Sequence, residues 1–190
     1  MKRLIATLSL LAMLTACQTS STKENPLLTE STLDYQAPDF SKIRPEHFVP
    51  AIKEGIRIQL AEIDSITSNT AAPTFENTVL AYEKSGRLLA RATSILSGLV
   101  GADGTEELQK IDEETTPMLS AHHDALLLNE KLFARVKAVY DQRSSLQGED
   151  LRLTEVLYDQ FVHEGALLSA ADKEALKKIN SEIAVLQTKF

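Results

Sequence analysis

The chain has 190 residues, enough for one domain with a substantial core, and its 43% hydrophobic and 25% charged residues exclude a disordered tail. A net charge of -7, a pI near 5.2 and interspersed signs leave no basic patch, which excludes a nucleic-acid partner. Seven Gly, six Pro, no Trp and abundant Leu, Ala, Glu and Lys predict helices rather than strands.

The first stretch, MKRLIATLSLLAMLTAC, stands apart from the fold. Lys2 and Arg3 form a positive region, Leu4 to Leu14 is apolar but too short to span a bilayer, and small residues follow. This is the pattern of an export signal over residues 1–16. Leu14-Thr15-Ala16-Cys17 resembles the lipobox of bacterial lipoproteins, in which the cysteine is acylated after cleavage before it. Cys17 is the only cysteine, so it has no internal disulfide partner and suits a lipid anchor. An ordinary signal peptide with an incidental cysteine is the bland alternative. Residues 17–44 read as an anchored tether and extended lead-in, polar and rich in Ser and Thr up to residue 32. Gln18, where retained lipoproteins often carry Asp, points to the outer membrane, with the protein facing the periplasm.

Residues 45–190 predict an all-α region of antiparallel helical hairpins. A first helix over about 45–67 starts at Pro45 and carries Phe48, Ile52, Ile56 and Ile63 at helical spacing. His47, in its first turn, reads as a solvated or capping side chain. A second helix opens at Thr74, which can cap while Asn77 returns a hydrogen bond. It carries two adjacent apolar rows, one of Leu88, Ala92, Ile95 and Leu99 and one of Leu89, Leu96 and Val100, a stripe wide enough to be buried on two sides. Gly-Ala-Asp-Gly at 101–104 ends it. Thr105 begins a third helix that Pro117 should kink or split.

His122 and His123 lie in this third helix and invite a metal. Adjacent helical residues point about 100° apart, and the positions four away are Met118, Leu119, Leu126 and Leu127, so the helix offers no second ligand. Asn129 can cap a fourth helix bearing Leu132, Phe133, Val136, Val139 and Tyr140. A fifth, about 150–167, presents Leu153, Val156, Leu157 and Phe161 and contains His163-Glu164. That pair opens the zinc-peptidase signature H-E-x-x-H, in which histidines one helical turn apart share the ion and the Glu is the general base. Here the second ligand position is Leu167, which has no lone pair to give, so the motif is broken. No catalytic and no metal-ligating residue is assigned within the chain; Cys17 is the one functional position.

Ser169 and Asp172 predict the start of a sixth helix, whose Leu176, Ile179, Ile183, Leu186 and Phe190 form a seam of coiled-coil spacing. With no stop signal after Phe190, the expectation is that the 190 residues are the N-terminal portion of a longer protein.

Four blocks, in order, carry a resemblance. They are NPLLTESTLDYQAPDFSKIRPEHFVPAIKEGI, FENTVLAYEKSGRLLARATSIL, NEKLFARVKAVYDQRSSL and FVHEGALLSAADKEALKKINSEIAVLQTKF. Together they resemble the bacterial peptidyl-dipeptidases (dipeptidyl carboxypeptidases) of the thimet oligopeptidase family of zinc peptidases, over nearly everything from Asn25 to Phe190. Phe75-Glu76-Asn77-Thr78 is the most family-like piece. The lipobox departs from the cytosolic relatives, and the family's H-E-x-x-H segment lies downstream of this chain's end. The resemblance implies a zinc ion held outside these residues, a role here as a wall of the substrate channel, short peptides as substrates, and a monomer at full length. The chain itself is then expected to be inactive. The alternative is a stand-alone helical lipoprotein that binds a partner through its apolar seams.

Overall fold

A computed structural model of the protein describes residues 25–188, and these form helices and turns with no strand among them. The expected signal peptide, Cys17, the first part of the tether and Phe190 lie outside the described residues.

A 3₁₀ turn at Pro45–His47 leads into α1 (Phe48–Thr67). A π-helical turn at Phe75–Val79 runs into the short α2 (Leu80–Glu83), followed by α3 (Arg87–Asp103) and α4 (Glu106–Leu127). Then come α5 (Glu130–Asp141), α6 (Gly148–His163) and α7 (Ala170–Gln187). The three predicted caps form, and Thr105 caps the helix it was expected to begin. Thr74, Thr105, Asn129 and Ser169 each accept a hydrogen bond from the backbone N–H three residues on. At each start one otherwise unpaired amide is thereby satisfied, an effect worth about 1 kcal/mol.

Two apolar clusters make the core. The first gathers Leu27, Phe48, Ala51, Ile52, Leu89, Ala92, Ile95, Leu96 and Leu108 from the lead-in, the front of α1, α3 and the front of α4. The second gathers Ile63, Ile66, Phe75, Val79, Leu126, Leu127, Leu132, Val136, Leu157 and Phe161 from the rear of α1, the π turn, the rear of α4, α5 and α6. α1 and α4 thus pass through both. Gly55 lets α1 and α3 meet backbone to backbone, since a Cβ there would lie 2.8 Å from Leu89 Cα. In the second cluster Phe133 sits 5.9 Å from Phe161 and Arg143 reaches Glu155, so α5 and α6 run antiparallel. α7 lies antiparallel on α4: Lys173 at its start reaches Glu130 just past the end of α4, Asn180 Nδ2 donates to Asp124 Oδ1 at 2.7 Å, and Ile183 and Gln187 further on line one groove with Leu119 and Thr116.

Three sequence expectations change. The second predicted helix is not continuous: the chain turns at Lys84, Ser85 and Gly86 between α2 and α3. The turn is held from outside, because Gly86 has φ 71° and its N–H donates to Glu62 Oε2 on α1 at 2.8 Å. Conversely, Pro117 does not split α4. Proline removes one N–H, but Glu113, whose carbonyl loses that donor, is on the solvent side, while Thr115, His122 and Leu126 are buried and keep the helix docked. The fifth predicted helix stops at His163, four residues early, where Gly165 (φ 97°) reverses the chain and buries Ala166.

Candidate functional site

The four histidines sit in different surroundings. His47 is buried rather than solvated, and its Nδ1 accepts the Arg44 backbone N–H at 3.0 Å, which caps the entry to α1. His122 is also buried, at the level between the two apolar clusters. Its Nε2–H donates to Gln59 Oε1 at 2.7 Å, Gln59 Nε2 donates to Ser85 Oγ at 3.2 Å, and Ser85 Oγ–H donates to the Tyr82 carbonyl at 2.7 Å. This relay pins the 84–86 turn to α1 and α4. Nδ1 of His122 has no partner, and burial, with the neighbouring His123 second, holds the ring's pKa below its usual value. Its ring is therefore neutral at pH 7.

His123 points elsewhere, with its Nε2 3.4 Å from Glu164 Oε2 across the α4–α6 corner. His163 is an exposed residue at the end of α6. The structure brings His123 and Glu164 together but brings neither toward His163 or His122 in a ligand set. Among the described residues no group of three or more His, Cys, Asp or Glu side chains converges as a metal site would require. A zinc ion does not fit these residues.

The Phe75-Glu76-Asn77-Thr78 block has a different use. Phe75 and Thr78 are buried, and Asn77 is a hub. Its Oδ1 accepts from Thr74 N–H at 2.9 Å, Thr78 Oγ at 2.8 Å and Arg135 Nη2 at 3.0 Å, and its Nδ2 donates to the Ala72 carbonyl at 2.9 Å. Arg135 is buried without a carboxylate partner; its Nη1 donates to the carbonyls of Asn69 and Ala71. The guanidinium and the amide together close the loop between α1 and the π turn. Only the Thr74–Asn77 part of this hub was legible from spacing, because Arg135 lies 58 residues away.

Among the depressions on the surface of the described residues, two are wide. A cleft of about 650 Å³ lies under the lead-in between Leu27, Arg44, His47 and Arg91, where Arg91 Nη2 donates to the Leu27 carbonyl at 3.0 Å. A groove of about 580 Å³ runs between α4 and α7, lined by Leu119, His123, Glu164, Ile183 and Ala184. In the cleft Ser41 Oγ–H donates to Asp39 Oδ1 at 2.5 Å, on the exposed rim of the lead-in. No helix among the described residues is long and apolar enough to cross a membrane.

The described residues form a helical scaffold, and comparison with known proteins supplies its kin. The chain is 46% identical over 168 residues to dipeptidyl carboxypeptidase of Salmonella typhimurium and 44% identical over 171 residues to that of Escherichia coli. These matches take in 87% and 89% of the chain but 25% of each relative. Oligopeptidase A of Salmonella typhimurium is 30% identical over 117 residues, 62% of the chain and 17% of that relative. The chain is a homologue of the dipeptidyl carboxypeptidases and spans about a quarter of their length. Residues 1–18 match the prokaryotic membrane lipoprotein lipid attachment site, with Cys17 inside the matched stretch, which marks a lipid-anchored envelope protein.

Proposed function

We propose that these residues are the N-terminal helical region of a lipid-anchored zinc peptidyl-dipeptidase that removes dipeptides from the C-terminus of short peptides. The observation that carries this reading is the 44–46% identity to dipeptidyl carboxypeptidases over nearly nine-tenths of the chain. In this reading the chain contributes a rigid wall of the substrate channel: α1 and α4 are fixed through two cores, which suits a surface that admits unstructured peptides and excludes folded ones. Zinc belongs to the remainder of the protein, where it would activate water and polarise the scissile carbonyl. Cys17, acylated, holds the enzyme to the membrane, with Gln18 favouring the outer membrane and a periplasmic orientation. The full-length enzyme is a monomer.

The test is to extend the reading frame past Phe190 and assay both the longer protein and the 190-residue chain on an unstructured, N-terminally blocked peptide. Mass spectrometry of the longer protein's products should show successive loss of C-terminal dipeptides, abolished by a chelator and restored by zinc. The 190-residue chain should leave the peptide intact and bind no stoichiometric zinc. A longer protein that leaves peptides untouched sinks the assignment, and chelator-sensitive cleavage by the short chain would return His163 and Glu164 to consideration.

A further inference from the structure

α7 presents two different faces. The one against α4 is polar or small: Lys173 and Ala184 are buried, Lys177 and Asn180 are half-buried, and Asn180 bonds Asp124. Lys173 further reaches Glu130 at the start of α5, at 3.2 Å. One residue back on each turn, about 100° round the helix, runs the apolar row. Leu176 is half-buried, but Ile179, Ile183 and Leu186 are 53%, 46% and 52% exposed. The arrangement inverts the usual one, in which an amphipathic helix turns its apolar stripe inward and its polar stripe to water. Ile183 also rims the groove along α4, so the row is continuous with a concave edge that includes Leu119.

The geometry points to the face formed by Ile179, Ile183 and Leu186 as the docking surface for an amphipathic helix from the rest of the peptidase, an inference that rests on the peptidase reading above. The spacing of four and then three residues is that of a seam that receives apolar knobs from a partner helix. Charges of both signs flank it, with Lys178 and Glu182 on α7 itself, as beside a helix–helix seam rather than on a membrane-binding face. The occupant's source follows from length. The matched stretch is a quarter of each homologue, so in the peptidase reading most of the protein lies beyond these residues and packs against them, and a covalently linked helix needs little area because its effective concentration is high. A second copy is a poorer occupant: three half-exposed aliphatic side chains fall far short of the roughly 800 Å² per partner of a stable dimer.

The experiment uses the full-length protein in a Cys17→Ser background, with a thiol introduced by Ile183→Cys and, in a separate variant, by Ser97→Cys on the exposed side of α3. Labelling by a small thiol reagent is followed by peptide mass, and peptidase activity is measured on the same samples. The Ile183→Cys thiol should label at least tenfold more slowly than the Ser97→Cys thiol, and at the same rate as it once the protein is denatured. Equal rates in an active peptidase overturn the surface and leave the functional reading standing. A protected thiol in a protein without peptidase activity supports the surface and sinks that reading. Protection that disappears on dilution, with oxidation linking two Ile183→Cys thiols between copies, identifies a second copy as the occupant and overturns the proposal. Ile183→Cys is a modest change, so loss of fold does not confuse the result; the harsher pair Ile183→Glu and Leu186→Glu should lower soluble yield of the full-length protein.

Discussion

Replacing Asn77 with Ala removes the hub that closes the loop between α1 and the π turn. Four side-chain hydrogen bonds disappear together. The one from Arg135 is charge-assisted, about 1.5–3 kcal/mol, and its loss leaves a buried guanidinium short of an acceptor. The other three are neutral, about 0.5–1.5 kcal/mol each, and the two on the solvent side fall at the low end because water replaces them. The sum is about 3–5 kcal/mol, which for a domain of this size lowers Tm by roughly 6–20 °C. Asn77→Asp is the decisive control. It keeps the oxygen that accepts from Thr74, Thr78 and Arg135, places a carboxylate beside the guanidinium, and sacrifices only the donor to Ala72. Its cost should be about 1 kcal/mol or less. Urea unfolding followed by circular dichroism measures both variants, with an unchanged m-value as the check on the comparison. The reasoning is refuted if Asn77→Ala lies within about 0.5 kcal/mol of the parent chain, or if Asp is the worse of the two.

Three other outcomes are expected. Gly86→Ala should cost about 2–4 kcal/mol, from the left-handed backbone and from a Cβ 2.4 Å from the Gln59 amide, which would have to release His122 and Ser85; thermal melts check it, and a neutral result would mean the turn can be rebuilt. His122, with its folded pKa below the unfolded value, stabilises the chain above the unfolded pKa near 6.5, and that stability is lost as pH falls through 6.5 toward the folded value. His122→Gln keeps a donor to Gln59 and should flatten stability against pH between 7 and 5, while an NMR titration that places the native ring above 6.5 would contradict the burial argument. Cys17→Ala should abolish incorporation of labelled fatty acid and release the protein from membranes; a variant still extracted only by detergent would disprove the anchor.

What could be read from the sequence was whatever the chain decides within one or two turns. Thr74, Asn129 and Ser169 cap as expected because each meets its amide three residues on, so donor and acceptor are visible side by side. The break at Lys84, Ser85 and Gly86 was hidden because its cause lies on α1, in Gln59 and Glu62, while the apolar rows run on past the turn without interruption. Pro117 misled in the opposite direction, since one missing hydrogen bond on an exposed side is outweighed by the buried residues around it. The broken H-E-x-x-H was legible because Leu167 is a fact of the sequence; that His122 would bond Gln59, 63 positions away, was not. For α7 the pattern revealed an apolar stripe but not its direction, which depends on the polar contacts of Lys173 and Asn180 with Glu130 and Asp124.

Because α1 threads both cores, its length acts as a gear ratio between them. Phe48 and Ile52 engage one set of partners and Ile63 and Ile66 the other, with Gln59 between. Inserting a single residue near Gln59 would advance the rear half by about 1.5 Å and turn it by about 100°, so one core would keep its mesh only if the other lost it. Two full turns, seven residues, would nearly restore the phase but would carry the Gln59–His122 pin out of reach unless α4 lengthened by the same amount. Length changes should therefore accumulate in the connections, such as those around Gly104 and Gln147, while α1 and α4 change only together.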